Sequence, residues 1–321
     1  MAKKDLCWAF LMHLGYNMWS DYAVDKWGVK GQKQWCEQIV ASDELRFDED
    51  LWHEETKKLA EAGCNAVVID LGEGVQYESH PEIASRGAYT KAKLRDELNA
   101  LREVGIEPIP KLNFSACHDM WMGEYSRMLS TTPYYRFCED MIAEVCELFD
   151  NPRLFHLGMD EETAQHQSAY NYVVIRQGDL WWHDFNFLAQ TVLKRGVRPV
   201  IWSDYIWHHE EEFLNRMSKD VLQSNWFYGR FGANEESWGP AERAFAVLEK
   251  AGFDQIPGGS NWSCRENFLE MAEKLPDIIS EERLFGFMQT IWHPMQRTYQ
   301  DKQDEGIGLF AEAKKIYERR S

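Results

Sequence analysis

The feature that most constrains this chain is a rhythm: a short apolar segment, then an amphipathic one, eight times over, often with glycine as the stop. Apolar runs of four to eight residues read as buried strands, and longer segments with apolar residues three and four apart read as helices. Residues 8–15 are the first expected strand and 50–62 the first helix, where Leu51, Leu59 and Ala62 sit among charges before Gly63. Strands two and three are expected at 65–71 and 106–114. Their helices are 91–104, stopped at Gly105, and 134–149, opened by Pro133, where a missing N–H costs little. Strand four is 154–160 with helix 179–195, and strand five is 198–204 with a short helix 210–217. Strand six is 221–227 with helix 240–251. A weak strand seven at 253–256 precedes helix 267–275, and strand eight at 284–292 precedes a closing helix 308–319.

Strands that alternate with helices predict a parallel sheet. Eight such units in 321 residues favour a closed (β/α)8 TIM barrel over an open doubly wound sheet. No linker or low-complexity stretch divides the chain, so the expectation is one α/β domain spanning 1–321.

Composition narrows the partners. With 35 Lys and Arg against 53 Asp and Glu the net charge is -18, and no basic patch offsets it, which disfavours nucleic acid. No apolar run approaches the ~20 residues of a membrane span, and residues 1–5 lack a signal-peptide core. A soluble protein is expected, cytoplasmic as it stands or secreted or periplasmic behind a leader. Oligomeric state has no signature in the sequence. Seven cysteines at 7, 36, 64, 117, 138, 146 and 264 are odd in number and scattered, which reads as reduced thiols instead of disulfides or a zinc site.

In a barrel of this kind the active site lies at the C-terminal strand ends, where polar residues interrupt the apolar runs. Asp70 ends strand two, Lys111 and Asn113 strand three, Asp160 and Glu161 strand four, Asp204 strand five, Asn225 strand six and Gln289 strand eight. Six of the 14 tryptophans, Trp121, Trp202, Trp207, Trp226, Trp262 and Trp292, fall at the same ends or just after. Trp52, Trp181 and Trp182 fall in helices and are expected to be packing residues. Carboxylates and indoles at one mouth point to a neutral carbohydrate, because indole rings stack on the faces of sugar rings.

The segment 155–162, Phe-His-Leu-Gly-Met-Asp-Glu-Glu, is the most informative. Strand alternation sends Phe155, Leu157 and Met159 toward the helices and His156, Gly158 and Asp160 into the barrel. Gly158 leaves space inside. Of two adjacent carboxylates one can stay ionised while a partly desolvated neighbour keeps its proton, which makes a general acid beside an electrostatic stabiliser. The competing reading is an acidic helix start at 160–163. His208 and His209 before three glutamates read as a solvated helix start and not as a metal site.

The run His156-Leu157-Gly158-Met159-Asp160-Glu161 resembles the His-x-Gly-Gly-Asp-Glu motif of the family 20 glycoside hydrolases, the β-N-acetylhexosaminidases, with Met159 as the one departure. Residues 198–204, ending Trp202-Ser203-Asp204, are similar to that family's strand five. Trp226 and Trp292 stand where its sugar-pocket tryptophans stand. His118 with nearby Trp121 matches a Gly-His position, whereas the acidic pair of the third strand is replaced by Lys111 and Asn113. An Arg on strand one is absent and a sugar-binding Glu after Trp292 is replaced by His293-Pro294; the small domain that usually precedes the family's barrel is not expected within residues 1–321.

The resemblance implies retaining, substrate-assisted cleavage in which the 2-acetamido oxygen of the sugar is the nucleophile. Asp160 would stabilise the acetamido nitrogen and Glu161 would act as general acid and base. Asp70, Asn113, His118, His156, Trp202, Asp204, Trp226, Tyr228 and Trp292 would bind substrate, with Tyr228 a donor to the acetamido oxygen. No cofactor or metal is implied. Two alternatives stay open: a metal-dependent sugar isomerase or epimerase with His118, His156, Asp160 and Asp204 as ligands, and a catalytically silent sugar-binding barrel.

Overall fold

The computed structural model describes residues 5–21, 38–168, 170–233 and 238–320; Cys36 lies outside them. Eight strands form one parallel sheet: β1 (Cys7–His13), β2 (Ala66–Asp70), β3 (Glu107–Lys111), β4 (Leu154–His156), β5 (Arg198–Trp202), β6 (Leu222–Ser224), β7 (Gly258–Ser260) and β8 (Gly286–Thr290). Ladders run β6-β5-β4-β3-β2-β1-β8-β7. Parallel bridges Gln223 to Gln255 and Trp226 to Gly258 join β6 to β7. With Gly258 N donating to Asn225 O at 2.9 Å and Phe227 N to Gly258 O at 3.0 Å, they close the barrel.

Among the described residues eight helices surround it: α1 (Glu49–Glu61), α2 (Lys91–Glu103), α3 (Thr132–Leu148), α4 (Asp179–Leu193), α5 (Glu210–Arg216), α6 (Gly239–Ala251), α7 (Asn267–Lys274) and α8 (Gln300–Arg319). Their ends follow local chemistry. Asp48 accepts from Leu51 N at 2.9 Å to cap α1, Thr90 accepts from Lys93 N at 3.2 Å to cap α2, and α6 stops at Gly252 with φ +77°.

Alternation along the strands divides the core in two. Trp8, Phe10, Met12, Val67, Ile69, Phe155, Ile201 and Phe287 pack outward with the helices, while Cys7, Ala9, Leu11, Ala66, Val68, Ile109, Leu154, Val200 and Met288 fill the barrel. Leu157 and Met159 join the outer cluster, as expected.

Several boundaries differ from expectation. Strand seven is Gly258–Ser260, not 253–256, and of the expected segment Gln255 contributes bridges only. A Cβ at Gly258 would lie 2.9 Å from the Trp202 ring, so the strand is chosen for closeness to that indole and carries no apolar pattern. β4 ends at His156, because Gly158 and Met159 turn to φ +71° and +75°. The competing reading of a helix start at 160–163 is not realised, and the next helix begins at the expected Asp179. The last helix begins eight residues before the expected 308, through a polar turn.

The six described cysteines are free. Among the described residues no helix is long and apolar enough to cross a membrane.

Candidate active site

At the C-terminal mouth of the barrel is a cavity of about 270 Å³, close to the lower end of the ~300–1,000 Å³ usual for small-molecule sites. Its floor is built from the loops after β3 and β4. Asn113 Nδ2 donates to Asp160 Oδ1 at 2.8 Å, while Asn113 Oδ1 accepts from Ser115 N at 3.0 Å and from Met159 N at 3.2 Å. The two backbone donors fix which end of the amide faces Asp160. A Cβ on Gly158 would fall 1.9 Å from Asn113 Oδ1, so the space that glycine leaves is where Asn113 sits.

His118 Nε2 lies 3.3 Å from Asp160 Oδ2 and 3.2 Å from Glu161 Oε2. Burial opposes a charge on His118, but the two carboxylates outweigh it and raise the imidazole to about 10. Burial likewise pushes Asp160 up, and the His118 charge more than offsets this, holding Asp160 below the ordinary range. Glu161 has φ +56°. Its carboxyl faces a second imidazole, His166 Nε2, at 3.5 Å from Oε1, and the two histidines overcome burial to hold it ionised.

The carboxyl shifted upward is instead Asp204, raised to about 7 by burial and then by the charge of Asp160. Its Oδ2 accepts from Glu161 N at 2.8 Å and its Oδ1 from Trp226 Nε1 at 3.2 Å.

The walls are aromatic. Trp202, Trp226, Tyr228 and Trp292 line the cavity together with Trp19, Trp238 and Trp262. Trp202 meets Trp292 edge-on at 6.1 Å, Trp226 packs on Tyr228 at 5.0 Å, and Trp292 Nε1 donates to the Tyr228 phenol oxygen at 3.1 Å.

Asn113, His118, Asp160, Glu161, Trp202, Trp226, Tyr228 and Trp292 thus come together around one cavity, with Asp204 behind Glu161. Asp70 and His156 do not reach it. Asp70 pairs with Lys111, and His13 Nδ1 lies 3.6 Å away. His156 accepts from Gly158 N at 3.0 Å and packs on Trp202 at 4.5 Å, with burial lowering its pKa to about 3. Trp121 is buried and donates to Asn113 O at 2.9 Å, while Trp207 backs Trp226 at 4.5 Å. Trp52, Trp181 and Trp182 are buried in helices.

Sequence reading missed Met18, Trp19, His166, Trp238 and Ser263 on the lining. All lie in irregular segments with no periodicity to assign them a face. For Trp19 and Trp238 the residue type was the available signal.

Among the described residues, His118, Asp160 and Glu161 each offer a ligand atom within 4.8 Å of the other two and could hold a cation. His156 and Asp204, the other ligands of the metal reading, fall outside that group.

No family model matches the chain, and no curated protein matches it. Solved structures do. The chain is similar to the chitobiase of Flavobacterium johnsoniae (18% identity, 85% of this chain and 48% of that one, TM-score 0.62). It is also similar to a catalytic module of the pneumococcal exo-β-D-N-acetylglucosaminidase (17%, 96% and 85%, 0.61) and to the Streptomyces plicatus N-acetyl-β-hexosaminidase (12%, 96% and 64%, 0.59). It therefore spans about half of the chitobiase chain. Identities this low carry the fold: the chain is a (β/α)8 barrel of the kind found in the family 20 glycoside hydrolases.

Proposed function

We propose that the protein is a glycoside hydrolase of the β-N-acetylhexosaminidase type, acting on a 2-acetamido sugar with retention. The observation that carries this is the pair Asp160 and Glu161, both on His118 Nε2, at the floor of a cavity walled by tryptophans. The neighbouring structures, named as chitobiase and hexosaminidases, support it.

One oxygen from each carboxylate lies within 4.8 Å of the other. Inverting enzymes need carboxyl groups ~6.5–9.5 Å apart to admit a water between them. In the proposed reaction the acetamido oxygen attacks the anomeric carbon. Asp160, oriented by Asn113 and His118, faces the acetamido nitrogen as positive charge develops there. Glu161 gives a proton to the leaving oxygen and later takes one from water. The Tyr228 oxygen already accepts from Trp292, so its own hydrogen is what it offers the acetamido oxygen. The indoles exclude water and stack on the ring.

A panel of aryl glycosides with and without a 2-acetamido group tests the reading. Preferential cleavage of the acetamido sugars is expected, and Glu161→Gln should reduce turnover ~10²–10⁴-fold while ligand binding survives. Equal or better cleavage of plain hexosides would overturn substrate assistance. Binding without turnover on any glycoside would leave a sugar-binding barrel. The His118, Asp160 and Glu161 cluster favours one further reading, a metal-dependent isomerase or epimerase. Loss of activity on chelation, restored by a divalent cation, would select it.

A further inference from the structure

We propose that His166 is the proton relay of this site, passing a proton through its Nε2 to Glu161 and recovering one from Glu161 in the second half-reaction. The inference rests on the glycosidase reading above.

Glu161 is bracketed by two imidazoles that differ in access. His118 is shared with Asp160 and its side chain is 5% exposed, so it is poorly placed to exchange protons with solvent. His166 is 41% exposed and lies 3.5 Å from the other carboxylate oxygen. It sits in the long irregular loop between β4 and α4, and it lines the cavity.

Thr163 keeps the ring aimed. Its Oγ1 accepts from His166 N at 3.2 Å and lies 2.8 Å from Nδ1. The proton leaves and returns at Nε2, so Nδ1 keeps its hydrogen and donates to this hydroxyl in both states, and the ring gains or loses a proton without leaving its place. The groups facing the Glu161–His166 pair are His118, Asp160 and Asp204. Of these Asp204 favours a charged imidazole at His166 and His118 disfavours it. The Glu161 carboxylate raises His166, and Nε2, 3.5 Å from Oε1 on a part-exposed ring, is the group through which a proton can reach Glu161 from the solvent side.

The balance closes with no outside reagent. The acetamido oxygen bonds to the anomeric carbon as the anomeric C–O bond breaks with its electron pair on the aglycone oxygen, which takes the proton from Glu161, itself supplied by His166 Nε2. In the second half water bonds to the anomeric carbon, the acetamido oxygen is released, and the water proton passes to Glu161 and then to His166.

The test uses the full chain with two 2-acetamido glycosides that differ in leaving group, 2,4-dinitrophenyl and methyl. Proton donation matters little for the first and greatly for the second. Replacing His166 with Ala or Gln should shift the ratio of the two kcat values ~10-fold or more against the methyl glycoside. It should also move the alkaline limb of kcat/KM for the methyl glycoside, and added imidazole should restore part of the loss in His166→Ala. A purely structural role would lower both substrates together, leaving the ratio and the pH limb unchanged, and that result, or no change at all, overturns the relay. Wild type that cleaves neither substrate overturns the glycosidase reading itself, and the relay with it.

Discussion

Gly158 ties the backbone to the chemistry more tightly than any carboxylate does. Its φ of +71° is costly for other residues, and a Cβ there would meet the Asn113 side chain and also its Cα at 2.8 Å. No side-chain rotation relieves a clash with backbone. Gly158→Ala should therefore cost roughly 3 kcal/mol of stability, read as the shift of the urea midpoint. In whatever fraction folds, kcat should fall more than KM changes, because Asn113 no longer holds Asp160; an active enzyme of unchanged stability would refute this account. The glycine was legible as space inside the barrel, and Asp160 and Glu161 as a pair. Which carboxyl is shifted upward was not, because Asp204 owes its shift to burial and to Asp160 across the mouth, and neither is written in the order of residues.

At the scale of elements, β1, β2 and β3 are linked inside the barrel by His13, Asp70 and Lys111, which register aligns: His13 pairs with Asp70, and Asp70 with Lys111. Lys111 is fully buried and Asp70 nearly so. Removing one partner of a buried pair strands the other charge and typically costs about 3–5 kcal/mol, whereas apolar replacement of the pair is far milder. Asp70→Asn and Lys111→Met should each destabilise strongly in urea titration, and the double variant should cost clearly less than their sum. Additive losses would mean that the pair is not coupled. Sequence reading took Asp70 for a sugar ligand because a strand-end carboxylate looks the same whether it faces the cavity or a buried lysine. The elements themselves were legible wherever apolar periodicity ran through them, as in β2 and α1. They were not where an element owes its place to contact alone, as with Gly258-Gly259-Ser260 in β7, or where a helix begins with polar residues, as α8 does at Gln300-Asp301-Lys302.

For the whole molecule these local titrations, set against a formal net charge of -18, predict how stability depends on pH. Asp70, Asp160 and Glu161 are held below their ordinary values. Their stabilisation is full above about pH 4, the unfolded range, and disappears as pH falls through their lower folded values. His118 works in the opposite sense. Raised to about 10, it contributes fully below about pH 6.5 and loses that contribution as pH rises through its folded value. Asp204, raised to about 7, adds a cost that is absent while it is protonated in both states and complete once it ionises in the folded chain. Mutual repulsion of the excess acids grows in the same direction. The melting temperature should therefore be highest near about pH 5 to 6 and decline steadily toward pH 10. His118→Asn, which removes the raised imidazole, should lower the maximum and flatten much of the alkaline decline. A wild-type melting temperature that stays level from pH 6.5 to 10 would mean that His118 does not hold its proton between Asp160 and Glu161.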